Sequence, residues 1–347
     1  MRSHRRDHDE GTLVTTTTRS GTAAPPLPSR DTAIAPKPRR RPREKHPWTV
    51  AEKRRLRIGI AFISPWIIGV LVFIGYPLVY SFAISLTRYS GMNGATWVGF
   101  GNYVAAFIDP LVHTAVGNTV FFAVIAVPVG IVVAIVIALA MNQDVREIGW
   151  YRTALYIPSL IPTFALAFIF VVLVNPQTGI VNQVMKLVGI PATNLLGDPT
   201  TAKLVIVALA QMGAGNAALI FLAGMRGIPK TLYEAARVDG AGPVRQFFAL
   251  TLPLLSPVIL FNLITGISNG LQVFTEAYVI SSGTGGLGSP DNGTLFYMLY
   301  LYKNAFSYAQ LGFASAMAVL LFLAGVVLSG LVYWLSKRFV NYDVTGE

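Results

Sequence analysis

The chain has no cysteine among its 347 residues. Disulfides, thiolate metal sites and cysteine nucleophiles are therefore excluded. Histidine is nearly as scarce: His4, His8 and His46 lie close to the N-terminus, and only His113 occurs beyond them. No histidine cluster is left to hold a metal. Charge is thin as well, at 12% of residues, against 53% hydrophobic. A soluble domain carries about twice that share of charge. A phosphate-binding loop of the form Gly-x-x-x-x-Gly-Lys-Ser/Thr needs a Gly-Lys pair, and the chain contains none. Composition leaves a serine nucleophile open, but the apolar stretches contain a single carboxylate, Glu276, and no second catalytic group beside it. The expectation is a chain that is not an enzyme and binds no nucleotide, cofactor or metal of its own. Energy for any work must then come from another subunit or from an ion gradient.

What is present is unevenly placed. Most of the net charge of +11 sits in the first 57 residues, which are rich in Arg, Thr, Pro and Ser. They lack apolar periodicity, so residues 1–57 are expected to form a disordered basic tail. A nucleic-acid-binding arm would need aromatic stacking partners, which are nearly absent, and an apolar segment comes at once after it. The plainer expectation is a cytoplasmic juxtamembrane tail with no nucleic-acid partner. Such a tail fixes orientation and touches membrane lipid, at about 1 kcal/mol per basic residue near an anionic surface. It is too long and too polar for a cleaved signal peptide.

Beyond the tail lie six charge-free windows, between Arg57 and Arg88, Asp109 and Asp144, Arg152 and Lys186, Lys203 and Arg226, Arg245 and Glu276, and Lys303 and Lys337. Each exceeds the roughly 20 residues that a helix needs to cross about 30 Å of hydrocarbon. Helices are expected near 59–84, 117–141, 154–175, 204–225, 253–280 and 312–336. Prolines within them are tolerated in membrane helices and can kink them. The fold class is therefore all-α, a polytopic membrane protein with six spans over residues 58–340 and a short C-terminal tail, 341–347. With the N-terminus inside, 23 Lys and Arg fall on the inner side and four (Arg88, Lys186, Lys203, Lys303) on the outer. Without the tail the split is still 8 to 4, which puts both termini inside.

Pro229 to Pro257 is the one long polar interruption in the second half. Pro229 suits the start of a helix. Lys230 to Val238 can form about two turns, Gly240 and Gly242 end them, and Pro243 can begin a second short helix. Glu234 and Arg237, three apart, share a face, and Ala235 and Ala236 leave a shallow surface. Spacing alone is also compatible with an ordinary solvated loop.

Glu234-Ala235-Ala236, three residues, Gly240, nine residues and Leu250-Thr251-Leu252-Pro253 resemble the EAA loop of ABC importer permeases. The longer stretch IPKTLYEAARVDGAG is similar to the carbohydrate-uptake branch, the maltose and glycerol-phosphate type. WVGFGNYVAAF, GWYRTALYIPSLIP, FTEAYVISSGTGG and TLFYMLYLYKNAF resemble further family segments, covering about residues 58–337. The outer segment SSGTGGLGSPDNG departs from the family's compact Gly-Gly-Pro. The resemblance implies a coupling loop (226–252) between spans four and five. Its Tyr233, Glu234, Ala235, Ala236, Arg237, Asp239 and Gly240 would meet a cytoplasmic ATPase. It also implies the partners: a second permease subunit, two copies of an ABC ATPase that use ATP, and an extracytoplasmic sugar-binding protein.

In the fifth span Asn262, Thr265, Asn269, Gln272 and Glu276 are spaced 3, 4, 3, 4, flanked by Ser268 and Thr275. They fall on one helical face. Amides and a carboxyl are costly in hydrocarbon, so the face should point into the bundle or a wet cavity. It could line a sugar pathway, or merely make interhelical hydrogen bonds worth about 0.6 kcal/mol each. Gln211 and Asn216 in the fourth span are less patterned, and a structural role is expected for them. The reading is a sugar importer permease working by alternating access. The alternatives are a secondary transporter or channel independent of an ATPase, and an intramembrane enzyme or scaffold.

Overall fold

The computed structural model describes residues 49–92, 94–191 and 193–337. Most of the basic tail, Arg338 and the C-terminal tail lie outside them. The chain divides inside its first helix, between Phe62 and Ile63, into two units.

The first unit is the beginning of helix α1 (Val50–Ser85). A capping box starts it. The Thr49 N–H donates to Glu52 Oε2 at 2.7 Å, and the Glu52 N–H donates to Thr49 Oγ1 at 3.3 Å. The helix thus begins at Val50 rather than at 59. Lys53, Arg54, Arg55 and Arg57, assigned above to the disordered tail, lie on its first turns.

Among the described residues, the second unit is helices and connecting segments with one two-residue ribbon, in which β1 (Thr87–Arg88) pairs antiparallel with β2 (Thr96–Trp97). A short helix α2 (Gly101–Ile108) leads into α3 (Pro110–Met141). After it come α4 (Ile148–Leu160), α5 (Thr163–Leu173), α6 (Ile180–Leu187) and α7 (Pro199–Arg226). The remaining helices are α8 (Lys230–Val238), α9 (Ser256–Leu271), α10 (Thr275–Ser282), α11 (Tyr297–Tyr302) and α12 (Leu311–Ser336). Helix α3 is central and packs against α7 and α9, while α12 packs against α9 and the second half of α1. Small residues allow the close approach of α3 and α7: Ala134 and Ala138 meet Ala214 and Ala218, all buried. The outer faces of the spans stay apolar and exposed, as on Phe73, Val132 and Val327, which suits helices set in lipid.

Two starts differ from those expected at 117 and 204, and both are set by Asp-Pro. Asp109 accepts the Leu111 N–H at 2.8 Å, and Asp198 accepts those of Thr200 and Thr201 at 3.0 and 2.9 Å. Pro110 and Pro199 fill the first helical position, where no N–H is needed.

The third span is not the single helix expected over 154–175. It consists of α4 and α5, which meet at 91°. Pro158 and Pro162 remove helix donors, and Ile161, ahead of a proline, is extended at φ −74°, ψ 129°. The fifth span is interrupted too, since Gln272 to Phe274 are not helical. Val273 packs instead into the buried cluster around Phe122, Ile206 and Phe296. Phe274 stacks near Tyr278 and Tyr302, with ring centroids 5.5 and 5.1 Å away. Tertiary packing of these two side chains outweighs the helical period that runs through them.

The segment after α10 is stitched to itself. Thr284 Oγ1 donates to the Ser289 carbonyl, Ser289 Oγ to the Thr284 carbonyl, and Thr294 Oγ1 to the Ser289 carbonyl, at 3.2, 2.7 and 2.6 Å. Asn118 on α3 anchors its far end by donating to the carbonyls of Asn292 and Leu295 at 2.8 and 3.0 Å. Asn118 Oδ1 in turn accepts from Lys203 Nζ at 3.2 Å.

Candidate functional site

Three backbone irregularities converge on one cavity of about 550 Å³. They are the sharp turn between α4 and α5, a 3₁₀ turn at Gln211–Gly213 within α7, and the break between α9 and α10. Irregular backbone inside a membrane protein survives where it is buried in protein or lines a water-filled space. The cavity walls supply such a space.

All five residues of the patterned polar face line this cavity: Asn262, Thr265, Asn269, Gln272 and Glu276. The first three project from α9. Gln272 ends that helix, at φ −107°, ψ 15°. Glu276 does not continue the same ladder, as the uninterrupted period implied, but reaches the cavity from the first turn of α10. Three of the five make side-chain hydrogen bonds. Asn262 Nδ2 donates to the Val258 carbonyl at 2.9 Å, Thr265 Oγ1 to that of Phe261 at 2.9 Å, and Gln272 Nε2 to that of Ser268 at 3.0 Å. Each bond turns back four residues along its own chain segment instead of crossing to another helix.

Helices α4, α5 and α7 supply the facing wall with Ser159, Thr163, Gln211 and Asn216. Ser159 and Thr163 escaped the sequence reading, although Pro158 and Pro162 beside them marked the bend. Gln211 and Asn216 are lining residues as well, beyond the structural role expected of them. Gln211 Nε2 donates to the Val207 carbonyl at 2.8 Å, and Asn216 Oδ1 accepts from the Tyr156 hydroxyl at 3.1 Å. Close packing of α9 on α3 borders the same space: a Cβ on Gly266 would come within 2.9 Å of Val127 Cγ1. Gly266-Ile267-Ser268-Asn269-Gly270 spells Gly-x-Ser-x-Gly, but it lies inside α9 and not on a strand-to-helix elbow. Ser268 Oγ donates to the Ile264 carbonyl at 3.0 Å, so the stretch offers no nucleophile geometry. A cleft of about 620 Å³ between α9, α11 and α12 is mainly apolar, with Ser268, Gln272 and Ser329 as its polar lining residues.

The second candidate element is α8, with the bounds read from its flanking Pro229 and Gly240. Gly240 sits at φ +76°. Its N–H donates to the Arg237 carbonyl at 3.0 Å, and the Ala241 N–H to that of Ala236 at 2.9 Å, the left-handed close of a helix. The second short helix expected from Pro243 follows, with α-helical backbone at Pro243–Gln246 and a π-turn at Phe247–Thr251. The residues grouped above as one contact set fall into different environments. Glu234, Ala235, Asp239 and Gly240 are exposed, whereas Tyr233 and Ala236 are half-buried. Exposed Arg237 joins Tyr233, Lys230 and Arg226 in lining a cavity of about 580 Å³ behind the helix. The Tyr233 hydroxyl lies 2.9 Å from Thr251 Oγ1.

Residues 126–341 match the model of a family described as the binding-protein-dependent transport system inner membrane component. The chain belongs to this family. This permease is 37% identical over 292 residues to the "Probable ABC transporter permease protein YesP" of Bacillus subtilis (strain 168), covering 83% of this chain and 93% of that one. It is 34% identical over 285 residues to the "Lactose transport system permease protein LacF" of Rhizobium radiobacter, covering 81% and 94%. Its fold is that of a chain in the crystal structure of a bacterial ABC transporter involved in the import of the acidic polysaccharide alginate. There the TM-score is 0.72 at 23% identity, over 84% of this chain and 99% of that one. The permease is thus a transport subunit of the inner membrane, not a catalytic chain. ABC importer permeases work in an assembly with a second permease, ATPases and a binding protein. Family membership sets aside the ATPase-independent transporter, the channel and the intramembrane enzyme.

Proposed function

We propose that this permease is the subunit through which a sugar or sugar derivative, delivered by a binding protein, crosses the inner membrane in an ATP-driven importer. The observation that carries the reading is the cavity. Its walls join the polar face of α9 and α10 to Gln211 and Asn216 at the point where three helices are irregular. Amides, hydroxyls and a carboxylate match the hydroxyl groups of a sugar, and Phe122, Phe261 and Phe274 offer apolar surface to its C–H faces. The names of the relatives, from lactose to arabinooligosaccharides, support a sugar.

In this reading α8 docks on the ATPase with Glu234 and Ala235, and Gly240 sets its angle. ATP is bound and hydrolysed by the ATPase pair, and this chain holds no cofactor. Both termini and α8 face the cytoplasm, following the Lys and Arg count. Closure of the ATPases moves α8, and the cavity opens alternately to the two sides. The test is uptake by the assembled complex carrying Asn269→Leu or Gln272→Leu. Either change should cut uptake at least about tenfold, the size of effect expected when a buried polar contact to substrate is lost, while the complex still assembles. Wild-type uptake and sugar affinity in both variants would mean that the polar face is only structural.

A further inference from the structure

Family membership leaves the charge of the cargo open, since the similar proteins handle both lactose and an acidic polysaccharide. The cavity narrows it. Among the described residues, Glu276 is the one ionisable side chain in the lining, and no Lys, Arg or His joins it there. Lys203 lies eight residues before Gln211 on α7, about 12 Å along the helix. It is held elsewhere, on Asn118 Oδ1 at 3.2 Å and 5.0 Å above the ring of Phe121.

The hydrogen-bond directions describe the neutral part of the lining. Thr265 and Ser159 use their hydroxyl protons on the carbonyls of Phe261 and Tyr156. Asn262, Gln272 and Gln211 each spend an amide N–H on a carbonyl four residues back. The lining therefore offers both kinds of partner. Hydroxyl lone pairs, amide carbonyls and the Glu276 carboxyl accept, while the second N–H of each of these amides and the amide nitrogens of Asn216 and Asn269 donate. Such a neutral, two-sided set suits a solute rich in hydroxyls. Sugar hydroxyls and ammonium groups are donors. A carboxylate, phosphate or sulfonate is only an acceptor, and among the described residues of this chain it would meet no counter-charge there to offset its desolvation.

We infer that the cargo is an uncharged sugar or an amino sugar, that uronates, sugar phosphates and sulfonated sugars are rejected, and that Glu276 sets this preference. The inference rests on the cavity being the transport pathway, and its test separates the two claims. Equilibrium binding of radiolabelled lactose, glucosamine, glucuronate and a hexose phosphate is measured on the purified permease–ATPase complex in nanodiscs. A panel of uncharged di- and trisaccharides is measured alongside. The binding protein is left out, so its own selectivity does not enter.

Uncharged or amino sugars should bind, and glucuronate and the hexose phosphate at least about tenfold more weakly. Glu276→Lys should shift the ratio several-fold toward glucuronate, and Asn269→Leu should abolish the binding that is seen. Binding of glucuronate or the phosphate as tight as that of the best uncharged sugar, and lost with Asn269→Leu, overturns the charge preference but leaves the pathway standing. Binding that neither Asn269→Leu nor Gln272→Leu alters overturns the pathway itself. If no uncharged or amino sugar in the panel binds, the inference fails as well.

Discussion

The hydroxyls of Tyr233 and Thr251 lie 2.9 Å apart. One belongs to α8, and the other to the π-turn that runs into the fifth span. Gln246 braces the same turn, with Nε2 donating to the Ala241 carbonyl at 2.7 Å. A push on α8 therefore has a short, partly buried route into α9, whose side chains line the cavity. Tyr233→Phe and Thr251→Val should each reduce sugar taken up per ATP hydrolysed by a few-fold, on the order of one neutral hydrogen bond at ~1 kcal/mol. The double variant should be no worse than either single one. ATPase co-purification should stay normal in all three, in contrast to Glu234→Lys on the exposed face, which should lower it. Additive losses in the double variant would mean that the two hydroxyls act separately.

At Gly240 the constraint is the backbone, not space. Nothing lies within 4 Å of a Cβ built there, yet φ is +76°. Gly240→Val should cost about 1–2 kcal/mol locally, or relax by tilting α8. Transport should then fall while basal ATP hydrolysis continues. Gly240→Asn, a residue that tolerates this conformation, should keep most of the coupling. Full uptake and normal ATPase recovery with Gly240→Val would remove α8 from the coupling role.

The Tyr300 hydroxyl donates to Asp109 Oδ2 at 2.6 Å, tying α11 to the cap of α3. Burial, reinforced by this carboxylate, pushes the phenol from 10.0 up to about 12. A raised folded-state value means that the contribution is whole below pH 10 and is lost as pH climbs toward 12. The apparent melting temperature of the purified complex should fall across that window. Tyr300→Phe should melt lower near neutral pH and show a shallower alkaline decline. Burial also raises Tyr297, so part of the decline should remain. An unchanged alkaline slope in Tyr300→Phe would show that the pair does not hold this end of the bundle.

Orientation can be read with reporter fusions. Those after Val145 and Gly240 should report the cytoplasm, and one after Gly286 the outside. A further fusion after Asn93, which lies outside the described residues, should also report the outside. A cytoplasmic signal at Gly286 would contradict six crossings.

Local signals carried some of this architecture and not the rest. Pro229 and Gly240 bracket α8 because a missing donor and a left-handed turn are properties of single residues. Asp109-Pro110 and Asp198-Pro199 were equally local, yet hydropathy started both helices late, since the capped first turns are less apolar than the later ones. The polar face of α9 and α10 came from the helical period alone. That period could not reveal the interruption at Gln272–Phe274, because the choice is made largely by Phe122, Phe296 and Tyr302, remote in sequence. Ser159 and Thr163 became lining residues only through the 91° turn. The prolines made a bend foreseeable, but not its direction.

The segment between α10 and α11 closes on itself through Thr284, Ser289 and Thr294, and Asn118 anchors its far end. A longer loop would ordinarily lose conformational freedom on being captured, at roughly 1–2 kcal/mol for each residue fixed. Here most of that ordering is complete before any encounter. The surface this segment presents is thus fixed by the chain's own hydrogen bonds, and no further ordering is needed to display it.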